Sequence, residues 1–231
     1  MPSSRRFLCN HIKNCTFYVG GSPIEFVESF AHLGHIITNQ LNDNVDIMSR
    51  RNNFVGQVNS VLCFFSKLNA SVRYKLFQSY CMSMYGCELW SLTNDKIDDL
   101  CISWRKSLRR IFGLPYDTQC YILPLVGQCL PLYDEICSRS LRFIITCVKH
   151  KSELIRVVAN YGIRYGRHNS FLGHNALICA HRYNINISDI STDCVINAKC
   201  IINNYFDELV EDSHYYTSCF VRELILLLYN A

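Results

Sequence analysis

Phe26-Val27-Glu28-Ser29-Phe30-Ala31-His32-Leu33-Gly34-His35-Ile36-Ile37 is the stretch on which the reading of this chain turns. Its apolar residues Phe30, Leu33, Ile36 and Ile37 suit a strand, and the glycine among them suits a place where another backbone or a ligand comes close. Ahead of it lie short alternating segments. Behind it the period changes to that of helices and stays there.

Upstream, Cys15-Thr16-Phe17-Tyr18-Val19 is rich in β-branched and aromatic residues, Gly20-Gly21 follows, and Ile24-Glu25-Phe26-Val27 comes next. Two such runs around a Gly-Gly pair predict a hairpin, because glycine accepts the positive φ of a tight turn. Phe30 to Thr38 is then expected as a third strand. A meander of this size buries neither face alone, so it needs a cover. Met1 to Lys13 is polar and basic, has no element of its own and reads as a cut end rather than a secretory leader.

Downstream, Asn42-Asp43-Asn44 carries helix-cap chemistry. From Asp46, the residues Ile47, Phe54, Val58, Val61, Phe65 and Leu68 fall on one helical face. Asn69-Ala70-Ser71 breaks that pattern, with Ser71 the expected cap. Val72 to about Leu89 is apolar nearly all round and reads as a central, buried helix. Thr93-Asn94-Asp95 opens the next one, in which Ile97, Leu100, Cys101, Trp104, Leu108, Ile111 and Phe112 share an arc of roughly 120°. Gly113 and Pro115 end it. Further helices are expected over Ile136–Val148 and at the close, Val221–Tyr229. The fold class is therefore mainly α, with a small N-terminal antiparallel β meander. The expected division is a β unit (1–40), a helical unit (41–115) and a C-terminal helical region (116–231) whose start is marked by Pro115, Pro124 and Pro131.

With 49% hydrophobic and only 18% charged residues, wholesale disorder is excluded. A net charge of +4 is too small for a global field, so any polyanion must be met by local patches. Fourteen cysteines without a leader read as reduced, buried small side chains in an intracellular protein, cytoplasmic or nuclear. No apolar run reaches the ~18 residues of a membrane helix.

Three sites of chemistry present themselves. Cys9-Asn10-His11 with Cys15, Cys147 with His150, and His174 with Cys179 and His181 lack the paired spacing of a zinc site, so no metal is expected. No cysteine, histidine and acid are brought together as a nucleophilic set. Asp98-Asp99 could hold magnesium for nucleotidyl transfer, but the pair opens a helix and suits its dipole better. What remains is cationic. Arg105, Lys106, Arg109 and Arg110 form the densest basic patch, uninterrupted by acids, as phosphate binding requires. Arg164, Tyr165, Arg167 and His168 add a loop of stacking and phosphate-donating side chains.

Phe30-Ala31-His32-Leu33-Gly34-His35-Ile36-Ile37 resembles the Phe-x-Tyr-Leu-Gly-His/Tyr-x-Ile motif near the end of the reverse-transcriptase domain of non-LTR, LINE-type retrotransposons. Asp46-Ile47 with Arg50-Arg51 and Gln57-Val58-Asn59 looks like that family's first thumb helix. Lys75 to Cys81 with Met84 to Trp90 looks like the second, and Trp104-Arg105-Lys106 through Pro115 like the third. Asn169-Ser170 and Arg222-Glu223-Leu224 are similar to the ends of jockey- and CR1-like reading frames. The resemblance spans nearly the whole chain, with His32 standing where the family has tyrosine and with no Phe/Tyr-x-Asp-Asp turn.

It implies a palm end, a thumb and a C-terminal helical region of an RNA-directed DNA polymerase, inactive alone. Magnesium would belong to the full polymerase only, with no cofactor in this chain. The partners implied are an RNA/DNA template–primer duplex and the remaining half of the polymerase. Leu33, Gly34 and His35 would lie near the primer end, with Arg50, Arg51, Arg105, Lys106, Arg109 and Arg110 on phosphates. The alternative is a helical interaction module, or a retroelement remnant, without a nucleic-acid role.

Overall fold

Gly20-Gly21 and Leu33-Gly34 each reverse the chain within two residues, at positive φ throughout (58° and 83°, 48° and 81°). In the computed structural model, which describes residues 17–166, 169–186 and 204, they close two separate antiparallel hairpins. The first pairs β1 (Phe17–Val19) with β2 (Ser22–Ile24); the second pairs β3 (Ser29–His32) with β4 (His35–Thr38). The expected third strand is thus a hairpin folded at Leu33-Gly34, with His32 opposite His35. Two consecutive left-handed residues match the strand twist and leave no continuous strand through that point.

Seven α-helices follow among the described residues: α1 (Asn44–Phe64), α2 (Ala70–Tyr80), α3 (Lys96–Phe112), α4 (Ile122–Val126), α5 (Leu132–Val148), α6 (Glu153–Tyr165) and α7 (Phe171–Arg182). The mainly helical class with an N-terminal β region is the one the residue pattern predicts. Ile47, Phe54, Val58 and Val61 of α1 are buried, whereas Phe65 and Leu68 lie beyond its end and stay partly exposed. Asn69 rather than Ser71 caps α2, its side chain accepting from the Val72 N–H at 2.9 Å.

The central helix is α3, not the segment from Val72 to Leu89. All seven residues of the predicted α3 arc are buried, and Gly113 ends the helix in the left-handed conformation. By contrast α2 stops at Tyr80. Gly86, at φ +83°, bars the expected continuation, and the chain passes into a single 3₁₀ turn at Cys87–Leu89. Polar groups hold this irregular stretch to the later helices. Arg139 of α5 donates to the Met84 carbonyl at 3.2 Å. The wholly buried Asn175 of α7 donates to the Trp90 carbonyl and accepts from the Leu92 N–H.

Residues 161–165, expected as part of a loop, are the last turn and a half of α6; Gly162 there allows the close approach of Ser170, which a Cβ would meet at 2.9 Å. One cluster of buried side chains runs from Ile47 to Tyr183 and passes the prolines without a break. Five of the nine described cysteines are buried. Burial pushes the thiols of Cys87 and Cys101 up to about 12, far from the thiolate. The expected helix at Val221–Tyr229, the Arg222-Glu223-Leu224 segment and the Cys9–Cys15 cluster lie outside the described residues. No described helix is long and apolar enough to cross a membrane.

Candidate nucleic-acid interface

Asp46 enters α1 in its first turn, where a carboxylate suits the helix dipole. Here it is buried, and three donors converge on it. The Ile36 N–H of β4 donates to Oδ1 at 3.0 Å, and the Trp90 indole donates to Oδ2 at 2.8 Å. The His35 Nδ1 lies 3.2 Å from the same Oδ2. This carboxylate ties the second hairpin, α1 and the irregular 82–90 stretch together. The His35 ring rests so closely on Gly86 that a side chain there would overlap it.

Arg50, one turn further along α1, donates to the Gly34 carbonyl at 2.6 Å and lies over the Tyr85 ring. Leu33, Gly34 and His35 are therefore presented on a braced turn, with Leu33 at the tip exposed to 74% of its surface. The carboxylate that braces it is the residue sequence reasoning missed. A lone aspartate beside a cap reads as a helix-start signal, and nothing in its spacing announces Trp90 or His35.

The basic patch on α3 divides into two rows. At 100° per residue, Arg105 and Arg109 stand about 40° apart, while Lys106 and Arg110 fall about 100° further round. Arg109 is taken up within the chain: it donates to the Thr118 carbonyl through Nε at 3.2 Å and NH2 at 2.6 Å, and lies over Tyr116. Its task is to fold the 115–120 loop onto the helix end. Arg105 is half-buried and faces a cleft walled by Trp104, Tyr133 and Arg182.

Lys106 and Arg110 are exposed. Arg110 donates to Asn59 at 2.8 Å, and Arg51 of α1 donates to Ser103 at 2.9 Å. Those two bonds set α1 and α3 running side by side in the same direction. Ser103, Lys106 and Arg110 recur at three and four residues on α3, so Arg51, Lys106 and Arg110 line one seam over about 10 Å. None of the ion pairs among the described residues engages these three cations, and the nearest acid on that face, Asp99, is paired with Lys96 at 3.2 Å. Arg50 stands at the hairpin end of α1. The structure therefore brings the Leu33–His35 turn and Arg50 together, places Arg51, Lys106 and Arg110 on an adjoining seam, and sends Arg105 and Arg109 elsewhere.

Arg164 and Tyr165 are exposed at the end of α6, with the Tyr165 ring centroid 5.2 Å from that of Tyr161 and the rings tilted by 42°. Arg167 and His168 lie outside the described residues. Asp98 and Asp99 occupy the first turn of α3, and no group of three or more potential metal ligands occurs among the described residues. The sequence matches no family model, and no curated protein or solved structure is significantly similar to it.

Proposed function

We propose that this chain is the palm-end and thumb portion of a non-LTR retrotransposon reverse transcriptase, and that its α1–α3 seam grips the backbone of an RNA/DNA template–primer duplex. The observation that carries the reading is the unneutralised row of Arg51, Lys106 and Arg110 beside the braced Leu33-Gly34-His35 turn. Cations aligned without intervening acid displace counterions from phosphates and bind any sequence. The turn beside them offers exposed backbone at its Leu33 tip. Polymerisation itself needs magnesium-binding carboxylates; the sequence has no Phe/Tyr-x-Asp-Asp turn, so nucleotidyl transfer falls to the remaining polymerase half.

A labelled RNA–DNA hybrid titrated with the full chain across a salt series tests this. Binding should weaken steeply with salt. Arg51→Ala, Lys106→Ala and Arg110→Ala combined should reduce the slope of log K against log salt by about 2 to 3, at a rate of roughly 0.9 per phosphate contact. An unchanged slope sinks the assignment. A second reading, a helical protein-interaction module, draws on the exposed apolar stripe of α6: Leu154, Val158, Tyr161 and Tyr165. Salt-independent or absent hybrid binding by the folded chain favours it.

A further inference from the structure

On the other side of α3 lies a cleft of about 660 Å³, between the α3 start, α4, the beginning of α5 and the end of α7. That volume falls in the range of small-molecule sites. Trp104 forms part of its wall. The ring is 2% exposed, and its indole N–H is buried without a hydrogen-bond partner. Buried indoles ordinarily find an acceptor. The other tryptophan does so: Trp90 donates to Asp46.

Arg105 lines the same cleft and takes part in none of the described ion pairs or hydrogen bonds. The second arginine of the cleft is already engaged, since Arg182 donates to Asp134 at 2.9 Å and lies over Tyr133. The first turn of α5, at Leu132 to Asp134, also borders the cleft, and Pro131 at its N-cap supplies no side-chain acceptor. Its positive end adds to the donor side. At the far end stands Asp98, two helical turns from Arg105 and so about 10 Å away along the axis.

We propose that this cleft binds a small organic carboxylate with a flat apolar body. The carboxylate sits on Arg105 beside the Trp104 ring, and the body lies against the Tyr121 and Pro124 wall. A single negative charge fits better than two, because Asp95, Asp98 and the Arg182-paired Asp134 share the cleft and repel a dianion. This site is independent of the nucleic-acid seam, on which neither Trp104 nor Arg105 lies.

Two tryptophans make the test direct, since a ¹⁵N-labelled full chain gives two indole N–H signals, assigned by Trp104→Phe. Phenylacetate is the probe. Saturable movement of the Trp104 signal, with Trp90 stationary, is the expected result. Arg105→Ala should weaken the midpoint about tenfold or more while the Trp90 signal holds its position, reporting an intact fold. Phenyl phosphate, carrying two charges, should bind more weakly than phenylacetate. A Trp104 signal that stays put at millimolar phenylacetate overturns the site. An undiminished response in Arg105→Ala, or tighter binding of phenyl phosphate, overturns the assigned chemistry.

Discussion

The two hairpins are built alike and end differently. Both turn in two residues of positive φ, both have short strands, and both carry aromatic or branched side chains. Yet every residue of β1 and β2 is exposed, whereas β4 packs against α1 and is half-buried over most of its length. The difference lies in long-range partners. β4 offers its Ile36 N–H and His35 ring to Asp46, and its turn carbonyl to Arg50. A turn makes a hairpin; a buried acceptor makes it part of the fold. An isolated two-stranded hairpin has little stability in water, so the first should open locally and the second only with the helices.

The hardest way to break that contrast is Asp46→Ala. The substitution strands the Trp90 indole and the Ile36 N–H and frees His35. Donors left unsatisfied beside a lost buried charge cost about 3–5 kcal/mol. Urea denaturation should register that loss. Amide hydrogen exchange should show Ile36 and Ile37 falling to the protection of Tyr18 and Val19. Retention of Ile36 protection in the variant would place the hairpin's attachment elsewhere.

Gly21 and Gly86 sharpen the comparison because they share the same positive φ, +83°. Alanine is equally strained at both. Around Gly21 there is nothing within 4 Å, while at Gly86 the new Cβ would overlap the His35 imidazole. Gly86→Ala should therefore lose about 2–4 kcal/mol of global stability, strain and overpacking together. Gly21→Ala should leave the global midpoint in place and alter only the first hairpin. Equal midpoints for the two variants would show that His35 moves aside freely and that the brace is loose.

The residues that period can reach were legible. The arc from Ile97 to Phe112 reads as one buried face because seven side chains at helical spacing leave no other arrangement, and Gly113-Leu114-Pro115 marks its end. Leu33-Gly34 was not legible as a turn: leucine is a poor choice for a left-handed position, and the alternation on either side reads as one strand. Cys81, Met84 and Glu88 continue a helical spacing that only Gly86 interrupts, so α2 appeared longer than it is. In the candidate site, the side-chain types were readable and their partners were not. Helical angles put Arg109 among exposed cations. What removes it is a carbonyl nine residues on, brought back by the Pro115 turn. Asp46 and Arg51 likewise take their roles from contacts that no local pattern encodes.

The smallest effect tests the second carboxylate beneath the braced hairpin. Asp43 accepts from the Ser91 N–H at 2.8 Å. Burial nevertheless holds its carboxyl above the usual carboxylate range; that bond works against the shift, the Asp46 charge adds to it and His35 opposes it. A pKa raised on folding means that the folded state holds the proton more tightly than the unfolded one. The contribution of this group therefore favours folding in acid and is lost as pH rises through its folded pKa. At neutral pH the wild-type chain carries the whole penalty. Asp43→Asn removes the charge and keeps an oxygen for Ser91, so it should match or exceed wild-type stability at pH 7 by up to about 1 kcal/mol, given partial solvent screening. The advantage should vanish as pH falls below the ordinary carboxylate range. A variant less stable than wild type at pH 7 would mean that Asp43 acts as a charged brace like Asp46, and that the second hairpin is held by two carboxylates rather than one.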